Sequence, residues 1–137
     1  MSTAFGFREH AHTADWELEV WAPDLTTLLE QAACGMYAMS GVKTDSSSPI
    51  ERSITLQASD AEGLLVRFLG ELLWIEQEQQ LAFEHFSIAV KADYSLWAEL
   101  RGAPIISLDK EIKAVTYHNL KIETTSNGLR VNIVFDV

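Results

Sequence analysis

Glu9-His10-Ala11-His12-Thr13-Ala14-Asp15 gathers two imidazoles and two carboxylates directly ahead of an alternating run that begins at Trp16. Another acid, Asp136, is the last residue but one. On a strand His10 and His12 would point to one side, and a His-x-His pair can begin a zinc site. Tetrahedral zinc needs further His, Cys or carboxylate ligands. Cys34 falls inside an apolar helical pattern, and His85 and His118 have no ligand-like spacing. Polar histidines at a strand end are therefore the simpler reading. The carboxylates offer different chemistry. Two acids forced together repel and raise each other's pKa unless a cation neutralises them. A hard cation takes carboxylate and backbone oxygens. If Asp15 and Asp136 meet in the fold, with a terminal carboxylate from Val137, they make such a site. By residue type alone, Asp15 as a turn acid and Asp136 as a solvated acid is the safer account.

Other chemistries lack their motifs. There is no Gly-x-Ser-x-Gly elbow and no cysteine with an activating neighbour. Seven glycines are scattered, and none form Gly-x-Gly-x-x-Gly or a P-loop. Ten Lys and Arg against twenty Asp and Glu give a net charge of -10. Direct grip on a phosphate backbone needs clustered basic residues, and Lys110, Lys113 and Lys121 are separated. Any work on nucleic acid is expected to pass through a partner. The four tryptophans, Trp16, Trp21, Trp74 and Trp97, read as core rather than as stacking platforms.

These residues must be positioned by a scaffold, and 137 residues with 47% hydrophobic content make one domain, 1–137, with a real core. No apolar run reaches the roughly 18 residues of a membrane-spanning helix, and no secretory signal is visible. A single cysteine fits a reducing compartment, so a cytoplasmic location without membrane association is expected.

Phe5 to His10 predicts a strand, and Trp16, Leu18 and Val20 alternate along a second. Asp24 is a good N-cap for a helix with Leu25, Leu28, Leu29, Ala32, Ala33, Met36 and Tyr37 on one stripe, ending near Ser40-Gly41. Ile50 to Ala58 reads as a strand. Ser59-Asp60-Ala61-Glu62 has capping-box spacing and opens a helix carrying Leu64 to Ile75, with Glu76 to Gln80 as its solvated tail. Phe83 to Ala92 and Tyr94 to Arg101 predict two more strands, the second ended by Gly102-Ala103-Pro104. Glu111 to Ile122 alternates as a long strand, and Asn127-Gly128 signals a hairpin into a last strand through Val131, Ile133 and Phe135. Two helices on a largely antiparallel sheet make the class α+β.

His12-Thr13-Ala14-Asp15 before an alternating strand, Leu72-Leu73-Trp74, Glu111-Ile112-Lys113-Ala114-Val115-Thr116-Tyr117-His118 and terminal Val134-Phe135-Asp136-Val137 together resemble the archease family, in order over nearly the whole chain. The resemblance implies a non-enzymatic activator of the RtcB-type RNA ligase. That ligase joins 3′-phosphate or 2′,3′-cyclic phosphate ends of RNA to 5′-hydroxyl ends after guanylylation of its own histidine, as in tRNA splicing and RNA repair. The activator speeds guanylylation and sustains turnover, and meets RNA only through the ligase. The resemblance also implies a divalent cation on Asp15, Asp136 and Val137, calcium first, with magnesium or manganese as alternatives. It assigns functional roles to Lys113, Glu71 and His12. The chain departs from the family pattern at Ala11, where an acid is usual, and in a short segment before Glu111.

Two other classes stand beside this one: a small metal-dependent phosphoesterase using the same carboxylates, and a chaperone-like module for RNA-processing enzymes. One ruler tests the site. A strict two-residue turn at Asn127-Gly128 would set Asp136 against Asn119 and leave Lys113 about 20 Å away. One shared site therefore requires a longer loop or a third strand between them.

Overall fold

A computed structural model describes residues 4–10 and 16–137. Among these residues the chain forms two helices and nine strands: β1 (Gly6–His10), β2 (Trp16–Ala22), α1 (Leu25–Ser40), β3 (Lys43–Thr44), β4 (Ile50–Gln57), α2 (Ala61–Gln79), β5 (Leu81–Val90), β6 (Ser95–Ser107), β7 (Ala114–Val115), β8 (Glu123–Thr125) and β9 (Gly128–Asp136). The class is α+β, as expected. The strands divide into two antiparallel sheets rather than one. The first has the order β1-β2-β9-β7, with β8 also on β9; the second is built around β6, which pairs with β3, β4 and β5.

Local chemistry explains the helix ends. Asp24 accepts a bond from the Thr27 amide at 2.8 Å, and Gly41 closes α1 in the left-handed conformation. At α2 the cap is Asp60, which accepts from the Gly63 amide at 2.7 Å, so the capping box expected from Ser59 does not form. Glu62 instead reaches across the fold to accept the Ile122 amide at 2.9 Å.

The helical stripes pack as their periodicity demands. Leu28, Leu29, Ala32, Ala33 and Met36 of α1 and Leu64, Leu65, Phe68, Leu69 and Leu72 of α2 are buried. They meet Leu18, Val20, Val131, Ile133 and Phe135 of the first sheet and Ile54, Leu96, Ala98 and Leu100 of the second in one core.

Four expectations need correction. The tail of α2 is not wholly solvated: Glu76 is only 6% exposed. Trp74 and Trp97 are about half exposed, at 52% and 48%, so they are not core. β6 does not end at Gly102 but runs on through Pro104 to Ser107. Proline is tolerated there because β6 is changing partner, from β4 at Gly102 to β3 at Ile105.

The fourth correction is the largest. Glu111 to Ile122 is not a long strand; only Ala114 and Val115 pair, and Asn119 turns the chain with a positive φ of 52°. Its apolar residues enter the core one by one, with Ile112 fully buried and Val115, Leu120 and Ile122 packed against the core. Such a segment alternates in sequence without a ladder.

Candidate functional site

β9 lies inside the first sheet, and its pleat alternates strictly. Val131, Ile133 and Phe135 point into the core, while Arg130, Asn132, Val134 and Asp136 share the opposite face. β2 runs antiparallel beside it with Trp16 against Phe135, so the first described residue of β2 is at the Asp136 end of β9.

The other edge of β9 brings in Lys113. The hairpin has a two-residue turn at Ser126-Asn127, since Thr125 pairs with Gly128. Continued, that register would set Asp136 opposite Tyr117. The ladder stops at Glu123, the chain makes an irregular excursion, and β7 returns to pair Ala114 with Asp136 and Val115 with Phe135. Neither a longer hairpin loop nor a strand between them brings the two together: the irregular excursion shifts the register by three residues, from Tyr117 to Ala114 opposite Asp136, and β7 pairs directly with β9. The Lys113 amide donates to the Asp136 carbonyl at 2.8 Å, and the amide and hydroxyl of Thr116 both donate to the Val134 carbonyl at 3.0 Å.

The approach to Lys113 is held at several points. The amides of Asp109 and Lys110 donate to the Ser40 carbonyl at the end of α1, at 2.9 and 3.1 Å. The Lys110 ammonium sits over the Trp16 ring, 5.2 Å from its centroid. Gln77 of α2 donates to the carbonyls of Ile112 and Lys113, both at 3.4 Å. Buried Ile112 anchors the middle. Gln77, Ser40 and Lys110 had no motif to mark them; only the topology gives them this work.

Of the other expected site residues, Val137 is half-buried beside exposed Asp136. Glu71 is half-buried on α2. The shallow hollow of about 280 Å³ next to Lys113 is lined instead by Val66, Gly70, Trp74, Gln77 and Val115, among others, and Glu71 is not one of them. His12 and Asp15 lie outside the described residues. Among the described residues no group of three or more His, Cys, Asp or Glu forms a ready metal centre.

Two carboxylates on this scaffold are electrostatically perturbed. Glu19, on the outer face of β2, accepts from Arg130 Nε at 2.6 Å and pairs with His10 Nε2 at 2.9 Å. The Arg130 bond holds its carboxyl below the usual range, against partial burial, with His10 adding to the effect. Glu76 is the opposite case: burial, reinforced by repulsion from Glu111, pushes it up to about 7. Sequence periodicity held the signal for Glu76, because Leu69, Leu72, Leu73 and Glu76 continue one helical stripe.

Comparison with known proteins agrees with this architecture. The archease protein family model matches residues 7–137. Among curated relatives, the protein archease of Saccharolobus islandicus is 32% identical, covering 96% of this chain and 98% of its own length. That of Methanosarcina barkeri is 30% identical, covering 92% of each. Among solved structures, protein 1598 of Methanobacterium thermoautotrophicum superimposes with a TM-score of 0.75 at 24% identity, covering 96% of this chain and 99% of that one. An archease from Thermotoga maritima, described as a possible chaperone, gives 0.69 at 22% identity, covering 95% and 94%. With a family model spanning almost the whole chain and relatives matched end to end, this chain belongs to the archease family.

Proposed function

We propose that this protein activates an RtcB-type RNA ligase, promoting its guanylylation and repeated turnover without catalysing a reaction itself. The observation that carries the reading is the pairing of the Lys113 segment with Asp136. Residues from distant parts of the chain are brought to one end of the first sheet, where an acid and a lysine are both exposed. The net charge of -10 suits docking on a basic protein and opposes direct binding of RNA.

The donor chemistry fits a hard divalent cation, calcium before magnesium or manganese. Asp136 offers an exposed carboxylate, Val137 offers main-chain oxygen, and Asp15 precedes Trp16, which pairs beside Asp136. When bound, such an ion supplies fixed positive charge for phosphate oxygens. Lys113 supplies an ammonium beside it, held in place through its main chain. Glu71 and His12 are supporting residues in this reading.

Ligase turnover measured with Asp15→Ala, Asp136→Ala and Lys113→Ala proteins tests the proposal. Each should lose most of the stimulation while remaining folded; full stimulation by all three would overturn it. Phosphoester hydrolysis by the isolated protein would favour the phosphoesterase reading instead. A chaperone-like role, which the description of the Thermotoga maritima relative favours, predicts partner binding that is indifferent to metal and to Asp136.

A further inference from the structure

The C-terminal end of α2 carries a buried acid with no counter-charge. Glu76 is 6% exposed, and among the described residues no hydrogen bond or ion pair reaches its carboxyl. The charged group facing it is Glu111, another acid. The Tyr37 hydroxyl, buried on α1, is near enough to feel its charge. No basic residue lies in the last turn of α2, where the helix end is itself partially negative.

Glu76 and Glu111 line one hollow of about 270 Å³, together with Gln77, Gln80 and Ser107. Gln77 donates through its amide nitrogen to the Ile112 and Lys113 carbonyls, so its amide oxygen is not spent on them. The polar side chains lining the hollow are two carboxylates, two amides and a hydroxyl, all able to offer oxygen, and one of the acids is buried. A buried carboxylate needs either a proton or a counter-charge.

We propose that the Glu76–Glu111 hollow is a second cation site, suited to a hard divalent ion of the calcium type. Calcium accepts six to eight oxygens in irregular geometry, waters included, whereas magnesium demands a near-ideal octahedron. The hollow has room for several waters at roughly 30 Å³ each. The consequence reaches the first site. Glu111 is two residues before Lys113, so an ion bridging it to Glu76 clamps the approach to Lys113 onto α2.

The test is calcium calorimetry on the full chain, stripped with chelator, at pH 8. Asp136→Asn removes the other candidate site. In that background one saturable event should remain, with a Kd on the order of 10⁻⁴ M for so few charged ligands. Adding Glu76→Gln or Glu111→Gln should weaken it roughly tenfold or more. Terbium luminescence sensitised through Tyr37 should disappear in the same variants. Glu111 is exposed, so its variant keeps the test valid if Glu76→Gln fails to fold. No saturable event in Asp136→Asn, or unchanged affinity in Asp136→Asn with Glu111→Gln, overturns the proposal. So does a basic peptide that occupies the hollow when calcium does not. No ligase enters this assay, so its outcome is independent of the activation reading.

Discussion

The Lys113 amide and the Asp136 carbonyl are joined by a 2.8 Å hydrogen bond. The bond is between main chains, so neither side chain is consumed by it. Lys113 and Asp136 both remain exposed, and the ladder that joins their main chains, with Ala114 opposite Asp136, does not depend on their charges.

Removing the lysine side chain should therefore separate function from folding. Lys113→Ala is expected to change stability by no more than about 0.5 kcal/mol, as for other exposed positions. Stimulation of the ligase should fall severalfold. Paired thermal melts and turnover assays check this, and a large loss of stability would contradict the main-chain account.

Ile112 predicts the reverse. It is fully buried next to Lys113, whereas Val115, Leu120 and Ile122 of the same segment are only partly buried. Ile112→Ala should cost about 2–5 kcal/mol and should speed hydrogen exchange at the Lys113 amide. A variant as stable as the parent, with unchanged exchange, would show that Gln77 and the Ser40 carbonyl suffice to hold the segment.

The acid limb of stability should respond to Arg130. Glu19 is lowered in the folded state chiefly by the Arg130 bond. Its contribution is present above the usual 4.5 and is lost as pH falls through the lower, folded value. Arg130→Gln should therefore move acid unfolding to higher pH. Arg130 is 38% exposed, so solvent screening should keep the effect below about 1 kcal/mol. Circular dichroism across pH 2 to 6 is the measurement.

Glu76 should shape the neutral range with the opposite sign. Raised in the folded state from 4.5 to about 7, it costs stability as pH climbs between those values. Glu76→Gln should flatten that decline in metal-free buffer, with a gain of at most about 3 kcal/mol above pH 7. Denaturant melts at pH 5 and pH 8 decide it; an equal slope in both proteins would mean that Glu76 is ionised throughout.

Much of this architecture is written in periodicity and caps. Asp24 and Gly41 bound α1 as their chemistry requires, and the alternation of Trp16 to Val20 and of Val131 to Phe135 places both inner strands. Glu111 to Ile122 misleads because solitary insertions into a core can mimic a strand's alternation, and the partner strand that would distinguish them is remote in sequence. The site was legible only in pieces. Lys113 is marked only by resemblance and Asp136 also by its carboxylate, but their adjacency depends on a ladder that stops at Glu123 and resumes at Val115. Glu76 lay on the apolar stripe of its helix, where its charge made it look like a solvated end.

The pairing of Trp16 with Phe135 joins residues more than a hundred positions apart. Loop closure on that scale comes late and slows folding. During synthesis, β1, β2 and α1 emerge long before β9, and their inner faces have no strand to close on. The proposed cation and lysine site would then form only once β9 is in place. Its presence reports that the whole first sheet has closed, so truncated or stalled chains should carry none of the proposed activity.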